Sequence, residues 1–135
     1  MSRKVLVVDD VAFVRKTLSD LLTQAGYQVV GEATDGTDAV AKYSQLRPDL
    51  VTMDVVMPQM SGIEATKKII KLDKEARVVI ISAMGQENLV MEAINVGAKD
   101  YVLKPFSAQD VLKTLERAMS GESTRSPIRE NRTVS

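Results

Sequence analysis

Five short apolar runs punctuate the chain: Val5 to Val8, Gln28 to Val30, Leu50 to Met53, Val78 to Ile81 and Tyr101 to Leu103. Four of them are nearly continuous in apolar character rather than alternating, the pattern of strands covered on both faces and hence of a parallel sheet. Between the runs lie stripes of helical period. Val14, Leu18, Leu21, Leu22 and Ala25 form the first, which stops at Gly26, and Ala39, Val40, Tyr43 and Leu46 form the second. Ser61 and Glu64 have the spacing of a capping box and open a third helix through Ile63, Ile69 and Ile70. Leu89, Val90, Ala93 and Ile94 mark a fourth, ended by Gly97. The fifth starts at Ser107, carries Asp110 in its first turn, and buries Val111, Leu112, Leu115, Ala118 and Met119. Strand and helix alternate, with connections too long for hairpins. This predicts an α/β fold, a doubly wound five-stranded parallel sheet flanked by five helices.

In such a sheet the ligand site lies at the carboxyl ends of the strands. Asp9 and Asp10 end the first strand, Asp54 the third, Ser82 the fourth and Lys104 the fifth. Each has an ordinary explanation when taken alone: one of Asp9 and Asp10 as the N-cap of the next helix, Ser82 as a turn former, Lys104 as a lysine with its head in water. Asp54 fits such an explanation worst. Closing the apolar strand in "DLVTMD", it would be partly desolvated without a partner. Unit charges about 4 Å apart interact by about 4 kcal/mol at an effective dielectric near 20, so three clustered carboxylates call for a cation.

Composition narrows the choice of cation. The chain has no His and no Cys, so Ser/His/Asp and Cys/His nucleophilic sites and the usual zinc ligand sets are unavailable to it. A metal here is held by oxygen, which favours Mg²⁺, Mn²⁺ or Ca²⁺. Mg²⁺, with Mn²⁺ as a substitute, takes one or two carboxylates together with phosphate oxygens. The residues therefore predict Asp54 as a nucleophile that accepts a phosphoryl group as an acyl phosphate, with metal, Lys104 and Ser82 neutralising the transferring oxygens.

The 135 residues, 44% of them apolar, with 18 Lys+Arg against 18 Asp+Glu, predict one soluble domain that binds neither nucleic acid nor membrane. Val5 to Val8 is too short for a signal-peptide core and no run reaches membrane-spanning length, so a cytoplasmic chain is expected. The domain is predicted over residues 1–120 and a disordered polar tail over 121–135, "GESTRSPIRENRTVS".

The stretches "VLVVDD", "PDLVTMDVVMPQMSG", "VVIISAMG" and "GAKDYVLKPF", together spanning Val5 to Phe106, resemble the response-regulator receiver domains of two-component signalling. "GEAT", "SAMGQ" and "GAKDY" are especially similar to the single-domain chemotaxis regulators of that family. The resemblance implies the strand order 2-1-3-4-5 of flavodoxin-like (βα)5 folds. It implies that Asp54 takes phosphate from a CheA-like histidine kinase, and that Asp10, Asp54 and the Val56 carbonyl bind Mg²⁺, with Asp9 acting mainly through water on the metal. Ser82 and Lys104 would bind phosphate oxygens, Lys104-Pro105 would be cis, Gly62 after Met57-Pro58 would fit a tight approach to the next helix, and Tyr101 would turn inward on activation.

The surface formed by the fourth helix, fifth strand and fifth helix would then engage a flagellar-motor switch protein. Val56 and Met84 match the positions that flank the attacking water in dephosphorylation; neither can orient water, which implies a slow-decaying phosphoaspartate and a separate phosphatase. The chain is expected to work as a monomer and as a switch rather than an enzyme. A stand-alone phosphorelay shuttle and a truncated receiver of a transcriptional regulator share these motifs. An aspartate-nucleophile phosphohydrolase would show two Asp separated by one residue on the first strand, unlike "VVDDVAF", and an FMN binder a hydroxyl-rich loop there.

Overall fold

Alternation along β1 (Lys4–Val8) divides the molecule into two layers. Val5 and Val7 point to one face of the sheet, where Leu18, Leu22, Val111 and Leu115 cover them. Leu6 and Val8 point to the other, against Tyr43, Ala65, Ile69, Val90 and Ala93. Both faces are buried, which is why the strands read as unbroken apolar runs.

The computed structural model describes residues 2–121. After β1 come α1 (Ala12–Gln24), β2 (Gln28–Ala33), α2 (Gly36–Leu46), β3 (Leu50–Asp54), α3 (Gly62–Leu72), β4 (Val78–Ala83), α4 (Glu87–Asn95), β5 (Asp100–Lys104) and α5 (Ala108–Ser120). All strand pairings are parallel, in the order β2-β1-β3-β4-β5. Helices α1 and α5 cover one face; α2, α3 and α4 cover the other. From residue 122 on, the predicted disordered tail lies outside the described residues.

Helix starts follow local chemistry where a side-chain oxygen is placed to accept. Asp35, Ser61 and Ser107 accept from the amides of Asp38, Glu64 and Asp110 respectively. At α1 neither aspartate takes the N-cap position that would have been the ordinary explanation for one of them. The N-cap is Val11 and has no side-chain cap, while Asp9 accepts from the Val11 amide at 2.9 Å. The first strand runs straight into its helix, so Asp9 lies two residues too early to reach the helical amides.

Strands β2, β3, β4 and β5 extend beyond their apolar runs at the carboxyl end. Asp54 pairs in register with Ile81, Ser82 with Leu103 and Ala83 with Lys104, so the polar residues are held by the ladder itself. Strand β2 continues through Gly31 and Glu32 to Ala33, opposite Leu6, Val7 and Val8. As an edge strand it is only partly covered, and its sequence signal fades accordingly.

Candidate functional site

The carboxyl ends of β1, β3 and β5 converge on one acidic cluster. Carboxylate oxygens of Asp9, Asp10 and Asp54 lie within 4.8 Å of one another. The two neighbours just after β1 are not equivalent: Asp9 is buried and Asp10 exposed. Lys104 extends between them and β3, with Nζ 3.0 Å from Asp9 Oδ2 and 3.8 Å from Asp54 Oδ1. Its head is therefore engaged in the cluster and not simply solvated, as a lone lysine would be.

Asp9 uses both of its oxygens within the protein. Oδ1 accepts from the Val11 amide and Oδ2 from Lys104. Its backbone is fixed as well, because Arg15 Nη1 donates to the Asp9 carbonyl at 2.8 Å while Arg15 Nε pairs with Glu32 at 3.0 Å. The Asp9 amide donates to the Ala33 carbonyl. Asp10 and Asp54 are left as the carboxylates more open to a further ligand.

Asp54 is only 6% exposed. Burial, above all, pushes its carboxyl up from 3.8 to about 6; the Asp9 charge adds to the rise, Lys104 opposes it, and Asp10 contributes further. One ammonium does not balance three carboxylates, and every donor in the cluster is a hard oxygen. The residues thus fit a hard divalent cation such as Mg²⁺.

The raised pKa has a definite sign in stability. Asp54 binds its proton more tightly in the folded chain, so ionisation opposes folding above pH 6, and this penalty disappears as pH falls through 6 towards 4. A shift of this size corresponds to about 2–3 kcal/mol. In EDTA, the stability advantage of Asp54→Asn over the wild type should be full above pH 6 and close towards pH 4. A gap that stays constant in urea unfolding from pH 4 to 8 would refute it.

Ser82 is fully buried at the end of β4, and its hydroxyl donates to Gln86 Oε1 at 2.7 Å. The Lys104-Pro105 peptide is cis. Tyr101 is already largely buried and packs in the layer of α3 and α4, so any inward turn starts from a covered ring. Val56 and Met84 are 51% and 70% exposed, on the loops that follow β3 and β4. Val11, the N-cap of α1, and Phe13 in its first turn are also exposed, so the segments that follow β1, β3 and β4 all carry exposed apolar side chains.

Sequence reasoning missed Arg15, Gln86 and this apolar pair after β1. Arg15 lies on the polar side of the α1 stripe, and its role depends on where β2 places Glu32. Gln86 is signalled only by its place immediately before α4.

Comparison with known proteins agrees with this geometry. The family profile described as the response regulator receiver domain matches residues 5–116. The chain is 52% identical over 117 residues to the chemotaxis protein CheY of Thermotoga maritima, covering 87% of this chain and 98% of that one. A two-component response regulator of the LuxR family from Aurantimonas sp. SI85-9A1 superposes with a TM-score of 0.89 at 32% identity, covering 98% of this chain and 99% of that one. The CheX-CheY-BeF3-Mg²⁺ complex from Borrelia burgdorferi gives a TM-score of 0.78 at 40% identity, covering 88% of both chains.

Proposed function

The chain belongs to the response regulator receiver domain family and is a two-component response regulator, and on that premise we propose that Asp54 is its phosphoacceptor and that phosphorylation switches a chemotaxis output. One observation carries this reading: a buried carboxylate with a raised pKa shares a 4.8 Å cluster with two more carboxylates, and Lys104 reaches into that cluster.

In the proposed reaction a carboxylate oxygen of Asp54 attacks the phosphorus of a phosphohistidine on a CheA-like kinase. The O–P bond forms as the P–N bond breaks, and the imidazole nitrogen keeps the bonding pair. Asp10, Asp54 and the Val56 carbonyl would hold Mg²⁺ (or Mn²⁺), with Asp9 behind them, and the ion supplies positive charge to the phosphoryl oxygens. Lys104 is already within reach of the Asp54 carboxylate and adds a second cation. Ser82 supplies a hydroxyl once it turns from Gln86. The receiver unit is assigned to residues 1–120, acting as a monomer. Among the described residues no helix is long and apolar enough to cross a membrane, in keeping with work in the cytoplasm.

The proposed output is the surface of α4, β5 and α5, docking a flagellar-motor switch protein; the identity to a CheY along nearly its whole length supports this target. Adding beryllofluoride with Mg²⁺ should shift amides in residues 87–96 and at Tyr101 as well as at the acidic cluster. Shifts confined to Asp9, Asp10 and Asp54 would refute the coupling.

The exposed Val56 and Met84 side chains can neither orient nor deprotonate an attacking water. Phosphoaspartate should therefore decay slowly and depend on a separate phosphatase that brings its own polar group. The double variant Val56→Asn with Met84→Glu is expected to hasten decay about tenfold to a hundredfold, or about 1.4 to 2.8 kcal/mol of barrier. Phosphate release after donor removal measures it, and an unchanged or slower rate would show that water access is controlled elsewhere.

A further inference from the structure

The β4–α4 connection contains a hydrogen-bond latch. Gln86 Oε1 accepts from the Ala83 amide at 3.1 Å and from Ser82 Oγ at 2.7 Å. The Ala83 N–H can only donate, so it fixes the orientation of the Gln86 amide and presents oxygen, not NH₂, to Ser82. A serine hydroxyl carries one proton. The Ala83 carbonyl, 3.3 Å from the same Oγ, is a longer alternative on the same loop. While that proton serves Gln86, it cannot serve an oxygen of a phosphoryl group on Asp54.

We propose that Gln86 is a positioning residue that holds Ser82 in the resting arrangement and links its release to the start of α4. This rests on Asp54 being the phosphoacceptor and adds the residue against which the phosphoryl group competes. Gln86 is the N-cap residue of α4, and its side chain makes no cap hydrogen bond to that helix but points back to Ser82 and Ala83. Between it and Ser82 lie only Ala83, Met84 and Gly85, the last at φ +92°, a conformation that favours glycine. When Ser82 donates to the phosphoryl oxygen instead, Gln86 loses one of its two donors, and the loop is released where α4 begins. The coupling from site to surface thus begins with a proton donor that has two exclusive acceptors.

The latch stabilises the resting form, so weakening it favours the activated one. Gln86→Met keeps the length of the side chain and removes the acceptor. In the full chain it should tighten beryllofluoride binding in saturating Mg²⁺ about fivefold, equivalent to about 1 kcal/mol for one neutral hydrogen bond. Binding of Mg²⁺ alone should stay within about twofold, since Gln86 touches none of the carboxylates. Gln86→Glu keeps the acceptor and should not tighten beryllofluoride binding, which provides a reading should the Met variant fold poorly. In a Ser82→Ala background the Gln86→Met effect should vanish.

Titrations followed by amide NMR distinguish the outcomes. Equal or weaker beryllofluoride affinity in Gln86→Met, tightening in Gln86→Glu, or the same tightening with and without the Ser82 hydroxyl would overturn the latch while leaving the receiver reading intact. A wild type that binds no beryllofluoride in Mg²⁺ would overturn both.

Discussion

Asp54→Asn is expected to abolish labelling by acetyl phosphate and to make the metal-free protein more stable. The first effect follows from the nucleophile: an amide oxygen is a poor nucleophile and a weaker ligand for Mg²⁺. The second follows from burial. Ionised Asp54 is held at the end of an apolar strand beside Asp9, and burial and that charge both oppose its ionisation. Removing the charge relieves part of a penalty of about 2–3 kcal/mol above pH 6. Lys104 keeps its closer partner, Asp9 at 3.0 Å, so the substitution does not leave the ammonium stranded. A gain of about 1–2 kcal/mol in urea unfolding at pH 8 with EDTA is expected, smaller than the penalty because Lys104 loses one of two anions. Stable, undiminished labelling of the variant would refute the assignment of Asp54. EDTA should also stop labelling of the wild type.

Gly62→Ala should cost the fold about 3–5 kcal/mol or prevent folding outright. A Cβ at this position would lie 2.0 Å from the Asp54 carbonyl oxygen and 2.9 Å from the Asp54 carbonyl carbon and Val55 Cα. All three are backbone atoms of the segment that carries Asp54, the proposed phosphoacceptor, so no side-chain tip can yield. The approach is held by the Gly62 amide, which donates to the Val55 carbonyl at 2.8 Å, and by the Gly36 amide, which donates to Met60 at 2.9 Å. Gly31→Ala offers the contrast. Its new Cβ would meet the Leu46 Cδ1 tip at 2.9 Å, a flexible group that can move, and the cost should be far smaller. Denaturation midpoints measured side by side test the pair. A Gly62→Ala protein as stable as Gly31→Ala would show that the β3–α3 loop has room that the geometry denies.

The parts of this protein legible in sequence are those specified locally. Apolar runs gave the strands because both faces of the sheet are covered, and the 3.6-residue stripes gave the helices. Ser61 and Ser107 cap their helices as the spacing predicts, since a cap spans only three residues. The placement of Asp9, Asp10, Asp54, Ser82 and Lys104 at or just beyond strand ends was also readable, as was the all-oxygen character of the ligands they offer a metal in the absence of His and Cys.

Tertiary structure decided what depends on register between distant strands. Asp9 and Asp10 are the same residue type side by side just after β1, yet one is buried against Lys104, 95 positions away, and the other is exposed. Local chemistry offered Asp9 and Asp10 as helix caps, and the chain path assigned that position to Val11. Arg15 gains its role only because β2 lies beside β1 and presents Glu32. The Ser82–Gln86 hydrogen bond spans four residues, but only the turn through Gly85 folds the glutamine back onto the strand end. Composition and periodicity say which groups a chain possesses and which way each faces within its own element. Which groups meet is set by the order of the strands, because packing and hydrogen bonding between segments far apart in sequence carry no local signature.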